Sequence, residues 1–442
     1  MSTTVDLPRR KLRLLPPPGQ PAIDVAEHLA RYGPLPYRGG HGLLIDDVQA
    51  SGLTGRGGAA FPVHRKLTAV HRGHVAGGRP IVVANGAEGE PASAKDKSLL
   101  LLAPHLVLDG IQLAAEAVGA DDAVLYVGID KLNLSWLAGL ITQRRAAGID
   151  RVPVRLVAAP PRFIAGQESA LASRISGKRA LPAFTPPRVY QRGVDGRPTL
   201  VQNVETLAHL SLIGRYGPSW FRAVGTPDEP GTAICTLRQA DGRVDLTEVP
   251  LGIPLTSLLD LSQCTAGGSG GSSPLGCTAV LVGGYHGAWL PAVTAAELTL
   301  SNADLRSHGA SVGACVLAAL PADRCGLRET ARVARYLALE SAGQCGPCRN
   351  GLPRIAAGFA ELAMVPQGRP DPELIADVRR WAALAERRGA CAHPDGTVRF
   401  VASALRTFGA EVGSHLRGHC TKPNQRPFLP VWAEPTTEKD WW

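Results

Sequence analysis

Apolar and polar positions along the chain fall into three regimes. From Pro80 to Ala158 short apolar runs alternate with stretches of helical period. Pro80–Ala84, containing Ile81-Val82-Val83, reads as a buried strand, and Ala94–Val118 reads as one helix. Ala123–Val127 is the next strand, Lys131–Ala147 a helix and Val152–Ala158 a third strand. That alternation predicts a parallel sheet with helices on its faces. Ala233–Val282 behaves differently. It holds strand-like runs at Ala233–Leu237, Val244–Val249 and Ala279–Val282, with a short helix at Leu255–Leu261. This predicts a small α+β module, with the Gly/Ser-rich Thr265–Ser273 as a loop inside it. Beyond Leu327 the period is helical throughout. Leu327–Ser341, Leu352–Met364, Pro372–Glu386 and Val398–Leu416 read as four helices.

A chain of 442 residues, 45% of them hydrophobic, has room for two or three cored domains. Its 50 glycines follow no Gly-X-Y period, so they point to turns and to loops that approach a ligand. The net charge is +9, yet no Lys/Arg block interleaved with aromatics marks a nucleic-acid surface. Arg9, Arg10, Lys11 and Arg13 precede no apolar signal-peptide core. The most apolar run, Leu99–Ala115, is interrupted by His105 and Asp109 and is too short and polar to span a bilayer. Nine cysteines without a signal argue for a reducing compartment, which makes a cytoplasmic location the expectation.

Chemistry concentrates in a few stretches. In Glu340-Ser341-Ala342-Gly343-Gln344-Cys345-Gly346-Pro347-Cys348-Arg349 two thiols share one turn and form half of a metal site. Cys391 falls in the connection between the last two predicted helices, and Cys420 follows them. Loop ends of one bundle can converge on a single site. A C-x-x-C pair alone is equally compatible with zinc, redox chemistry or ordinary buried cysteine. It follows no strand of a short βαβ unit, which argues against a thioredoxin-type site. Cys235, Cys264, Cys277, Cys315 and Cys325 lack ligand spacing and read as structural.

Ser51-Gly52-Leu53-Thr54-Gly55-Arg56-Gly57-Gly58-Ala59-Ala60-Phe61-Pro62 brings four glycines before a predicted helix. Their backbone N–H groups can approach an anion, Arg56 and Lys66 can pair with phosphate, and Phe61 can stack on a planar ring. The spacing differs from the dinucleotide fingerprint, and a structural turn explains it equally well. Asn85-Gly86-Ala87-Glu88-Gly89-Glu90-Pro91 follows a predicted strand, where parallel sheets bind ligands. Gly166-Gln167-Glu168-Ser169-Ala170 is a second acidic turn, and Gln202-Asn203-Val204-Glu205-Thr206 opens a helical segment with amide and hydroxyl groups.

In this order the stretches resemble the flavin-bearing, NADH-oxidising component of respiratory complex I, an NADH:quinone oxidoreductase, and of related NAD-reducing hydrogenases and formate dehydrogenases. The match runs over roughly residues 40 to 420 and includes Gly196-Arg197-Pro198-Thr199. The resemblance implies a Rossmann-like α/β domain at 41–225 for FMN and NADH, after an N-terminal extension at 1–40. A β-grasp-like α+β module at 226–322 and an all-α four-helix iron–sulfur domain at 323–420 would follow, with a tail at 421–442. It also implies hydride transfer from NADH to FMN, then single electrons to a four-iron cluster and a partner, either a thioredoxin-like two-iron subunit or a ferredoxin. Any membrane association would be peripheral, at the inner face, through a complex.

Carried over by position, Gly55, Arg56, Gly57, Gly58 and Lys66 match the flavin-phosphate loop, and Asn85, Glu88, Gln202, Asn203 and Thr206 match other cofactor contacts. Phe61 matches a ring near the adenine of NADH. Glu90 and Glu168 match the catalytic-site acids near nicotinamide and ribose, which disfavour the extra phosphate of NADPH. Cys345, Cys348 and Cys391 match cluster thiols. The departures are specific. Ala87 and Gly89 replace polar residues of the acidic loop, Gln167 replaces an acid and Gln202 an asparagine. Ala342 stands where the family's first cluster cysteine is expected. Three thiols hold a three-iron cluster or a four-iron cluster with one open iron, unless Cys420, or next His393, supplies the fourth ligand. A diverged scaffold without flavin and a ferredoxin-linked NAD reductase are the alternatives to NADH oxidation.

Overall fold

The first sheet is parallel throughout. Strands β1 (Ile81–Gly86), β2 (Asp122–Gly128), β3 (Val154–Ala159) and β4 (Thr199–Asn203) lie in the order β3-β2-β1-β4. Ile81 stands opposite Asp122 on one side and Thr199 on the other. Val82, Ala84, Leu125 and Leu200 pack into a core shared with the helices Pro104–Val118 and Val204–Arg222. Ile81, Val83, Val124, Tyr126 and Val201 pack on the other face against Leu171 and Val189. Burial on both faces is why these strands read as continuous apolar runs. The computed structural model describes residues 13–17, 19–128, 134–261, 276–365, 369–422, 424, 426–432 and 441–442. The Gly/Ser-rich stretch at 265–273 and Cys264 lie outside them.

Two expected helices are broken in two. The segment read as Ala94–Val118 consists of Lys95–Leu102 and Pro104–Val118, bent by 96°. Pro104 occupies the first turn of the second helix and has no N–H to continue the first. Gly119 ends that helix with φ 72°. Fourteen of the helix's fifteen residues are buried, so its all-round apolar character is that of a core helix. No single helix among the described residues is long and apolar enough to cross a membrane. The segment read as Val398–Leu416 is likewise His393–Thr407 followed by Gly409–Leu416. Strand β4, not anticipated, is a five-residue run wedged between Pro198 and the helix it caps.

A second sheet follows, with β5 (Thr232–Arg238), β6 (Val244–Pro250), β7 (Cys277–Val282), β8 (Ala288–Pro291) and β9 (Val316–Pro321) in the order β6-β5-β9-β7-β8. Only β5 and β9 run parallel; the other pairs are antiparallel. The sequence pattern found β5, β6 and β7, while β8 is too short and β9 too far along the chain to have joined that reading. The α-helices after β9 are Gly326–Leu339, Leu352–Ala363, Leu374–Ala385, His393–Thr407 and Gly409–Leu416. Their apolar faces share one core with Tyr285 and Trp289 of the second sheet's turn and edge. The C-terminal segment runs back over this bundle. Glu329 accepts from Phe428 N and Leu429 N, at 3.0 and 2.9 Å.

Candidate functional site

Strands β1, β2 and β3 step away in one direction, and β4 returns to the opposite side of β1. Connections leaving β1 and β4 therefore diverge and leave a crevice at the strands' carboxyl ends, where open parallel sheets bind ligands. The acidic loop leaves β1 there, and Asn203 ends β4 and caps the helix Val204–Arg222 by accepting from Glu205 N. The glycine loop closes over the same point. Arg56 N donates to Thr206 Oγ1 at 2.9 Å, and a Cβ on Gly57 would stand 3.3 Å from Asn203 Cβ. A side chain at position 57 would thus crowd the Asn203 side chain at the end of β4.

Lys66, on the helix Val63–Val75, reaches Glu168 Oε1 and Val201 O, each at 3.4 Å. Lys66 and the acidic turn thus meet beside β4, both partly exposed. Gln202 sits opposite Ala84 and is buried, with no hydrogen-bond partner for Nε2 among the described residues. A buried, unpaired amide donor at a strand end is costly unless a ligand accepts from it. Asn85 is held in the crevice wall: its Nδ2 donates to Gly166 O at 2.8 Å and its Oδ1 accepts from Ala87 N. Glu90 Oε2 accepts from Tyr285 N at 3.1 Å, which ties the acidic loop to the turn after β7. Phe61 is exposed at the rim.

Three residues take other work than their spacing suggested. The Arg56 guanidinium is buried and spent on Thr54 O and Oγ1, Thr232 O and Pro230 O, so it fixes the glycine loop to β5. Glu88 is buried and accepts from Ser93 Oγ, Asp96 N and Lys97 N, capping the helix Lys95–Leu102. Gln167 caps the helix Glu168–Ile175 by accepting from Ser169 N and Ala170 N. Sequence reasoning missed the group behind Asn203. Lys95 Nζ donates to Asp96 Oδ1 at 2.7 Å and to Glu205 Oε2 at 3.0 Å, and Asn203 Nδ2 donates to Asp96 Oδ2 at 2.8 Å. Burial pushes the Asp96 carboxyl up to about 6. Burial alone would lower the Lys95 ammonium, but Asp96 and Glu205 hold it above its ordinary value. Only the three-dimensional fold brings these charges together.

The second centre lies in the helical part. Cys345 follows the helix Gly326–Leu339, Cys348 sits buried on a π-helical turn at Pro347–Gly351, and Cys391 precedes the helix His393–Thr407. Burial, with Cys345 and Cys391 as neighbours, pushes the Cys348 thiol up to about 12. Burial also raises Cys391, which feels Cys345 in turn. The three thiols therefore share one environment, and a bound cation would reverse these shifts. Ala342, on the same loop, packs against a small cluster with Ile164 and Ala165. His393 is committed elsewhere: Nε2 contacts Leu337 O at 2.8 Å and Nδ1 contacts His286 Nε2 at 3.0 Å. Burial lowers it to about 4. Cys420 stands with Cys325 and His415 instead of with the three thiols.

Phe163 lies between the acidic loop and the segment that carries Cys391. Phe163 packs edge-on against His286 at 4.9 Å and lies 5.6 Å from His393, two residues from Cys391. On its other side Phe163 O blocks any side chain at Gly89, where a Cβ would lie 2.2 Å away. Glu340 of the cysteine motif accepts from Phe163 N at 2.8 Å and pairs with Arg162 at 3.2 Å.

Comparison with known proteins agrees with this layout. Residues 48–212 match the Nuo51 FMN-binding domain, which spans the glycine loop through β4. Residues 328–415 match the NADH-ubiquinone oxidoreductase-F iron-sulfur binding region, which contains Cys345, Cys348 and Cys391. The F subunit of the Rickettsia typhi NADH-quinone oxidoreductase is 30% identical over 323 residues, covering 71% of this chain and 75% of the relative. The chain belongs to the family of NADH-quinone oxidoreductase F subunits. It is an oxidoreductase subunit with an FMN-binding and an iron–sulfur region, and it works with other subunits. The corresponding F subunit of Streptomyces coelicolor is 29% identical over 420 residues, 90% of this chain and 88% of the relative. The mitochondrial NADH dehydrogenase flavoprotein 1 of Dictyostelium discoideum is 28% identical, covering 87% and 81%. A crystal structure of an air-oxidised NAD+-reducing [NiFe]-hydrogenase superposes with TM-score 0.74 at 28% identity, over 86% of this chain. This chain spans only 64% of that hydrogenase chain.

Proposed function

We propose that this chain oxidises NADH at the crevice between β1 and β4 and delivers single electrons through the three-cysteine centre to a partner protein. The observation that carries the reading is the convergence on one crevice of the bare glycine loop, the Lys66–Glu168 pair and the unpartnered Gln202 Nε2. These residues fit FMN. The loop offers backbone N–H groups and Lys66 a cation for its phosphate, and Gln202 offers a donor to the ring system. Bound FMN would supply the conversion between two-electron hydride chemistry and one-electron transfer. Glu90, anchored by Tyr285 N, would orient the nicotinamide side of NADH, and Glu168 would accept hydrogen bonds from a ribose. Phe61 at the rim would cover adenine.

The chain then divides into a Rossmann-like part to about residue 225, a β-grasp-like module to about 322 and a helical iron–sulfur part. Cys345, Cys348 and Cys391 would hold the cluster, with one iron left open by Ala342. The partner is a thioredoxin-like two-iron subunit or a ferredoxin, and the assembly is cytoplasmic or peripheral at the inner face of a membrane.

A second reading rests on Ala87 and Gly89, which contribute no polar side chains to the acidic loop. It makes the chain a flavin-free relay or scaffold within a redox complex. An anaerobic absorbance spectrum of the purified protein, before and after NADH, separates the two. Flavin bands that bleach with NADH support the dehydrogenase. Flavin bands absent even after FMN is supplied support the scaffold.

A further inference from the structure

Cys325, His415 and Cys420 come from three separate places. Cys325 precedes the helix Gly326–Leu339, His415 lies in the last turn of the helix Gly409–Leu416, and Cys420 follows it. Their ligand atoms all lie within 4.8 Å of one another. Cys325 and His415 are 2% and 1% exposed, and Cys420 is half-buried at the open side. The imidazole is already oriented. His415 Nδ1 contacts Leu362 O at 2.8 Å, which fixes the proton there and leaves Nε2 as an acceptor, 3.6 Å from Cys325 Sγ. A backbone carbonyl behind a ligating histidine is the usual outer partner of a metal site.

We propose that these three residues bind one zinc ion at a site separate from the iron–sulfur centre. The separations select a single ion. With Zn–S near 2.3 Å and Zn–N near 2.0–2.1 Å in a tetrahedron, sulfur and nitrogen stand about 3.5 Å apart, as Cys325 and His415 do. Ligands of an iron–sulfur cube sit on different irons and lie much further apart. Cys325 and Cys420 also fall outside the matched iron–sulfur region at residues 328–415. Two thiolates neutralise a divalent ion, which suits this enclosed position. The fourth position is left for water, and Glu411, one turn before His415, stays on Gly326 N at 3.0 Å. The ion would tie the first helix of the bundle to its last helix and to the segment beyond it. Cys325 then ceases to be merely structural, and Cys420 ceases to be the fourth cluster ligand.

The test is elemental analysis of the full-length protein, purified and refilled with Zn(II) under anaerobic reducing conditions. The expected result is one zinc per chain. Cys420→Ser and His415→Gln should each weaken zinc binding at least ~100-fold with iron unchanged, since a direct ligand outweighs the outer partners whose loss alone costs ~10–100-fold. Cys348→Ser should lose iron and keep zinc. Cobalt(II) added to the wild type should give a thiolate-to-metal charge-transfer band, a readout independent of how the variants fold. Absence of both zinc and that band overturns the proposal. So does loss of iron in Cys420→Ser with zinc unaffected, which would return Cys420 to the cluster.

Discussion

Residue 89 shows how far one position reshapes an acidic loop. Its Cβ would lie 2.2 Å from Phe163 O, so the serine expected of the family has no room here. Gly89→Ser should destabilise the protein by about 1–3 kcal/mol, as overpacking does, and a thermal melt should drop by several degrees. An unchanged melt would mean that Phe163 yields easily. Glu168 makes a different kind of prediction. It pairs with Lys66 at 3.4 Å while partly exposed, so its loss should spare the fold. Glu168→Ala should lower kcat/KM for NADH about tenfold, equivalent to ~1.4 kcal/mol, with flavin content unchanged. Steady-state kinetics beside a flavin assay checks it, and unaltered kinetics would remove Glu168 from substrate binding. Spacing was enough to bring Glu90, Glu168, Lys66, Asn203 and Thr206 into view. It could not show that Arg56 is consumed by the carbonyls of Pro230 and Thr232, which lie far away in sequence, or that Glu88 caps the helix Lys95–Leu102, which depends on how the loop turns back on itself. Lys95 and Asp96 escaped notice because Asn203 and Glu205 lie far away in sequence.

At the level of elements, apolar periodicity located most helices and three of the four parallel strands. It missed breaks of a single residue. The chain turns by 96° at Pro104 without interrupting the apolar pattern, and Phe408 separates two helices inside the last predicted one. Strand β4 escaped because its few residues run directly into a helix. The helix Pro104–Val118 carries a pH-dependent liability. His105 is buried, neither ring nitrogen has a partner among the described residues, and burial lowers its pKa to about 4. In the unfolded chain it titrates near 6.5. Between these values the unfolded state binds more protons, so stability is complete above about 6.5 and declines as the pH falls toward 4. The contribution lost by pH 5 is about 2 kcal/mol. His105→Leu should therefore shrink the difference in urea-derived unfolding free energy between pH 7 and pH 5 by about that amount. An identical gap in variant and wild type would show that His105 titrates normally.

For the whole molecule, the cofactor regions were legible because motif order survives where overall identity has dropped to about 28%. The fate of the fourth cluster position was not, since it depends on what stands around Ala342. That residue is half-buried on the cysteine loop, on the side facing Ile164 and Ala165. Ala342→Cys should complete the family's ligand set by giving the open iron a thiolate, and so change the electron paramagnetic resonance signal of the reduced cluster. An unaltered signal would mean that another group already occupies that corner. The order of strands in the first sheet bears on how the protein acquires its flavin. β1 pairs with β4 across a long stretch of intervening chain, Ile81 opposite Thr199, so this pairing is among the slower contacts to form. Until it forms, β1 to β3 make a sheet with one raw edge and no crevice, and neither Gln202 nor Asn203 is in place. FMN then has nothing to hold in a nascent or partly folded chain. On this reasoning flavin loading follows the joining of β4 to β1, and flavin supplied before that step should not raise the yield of folded protein.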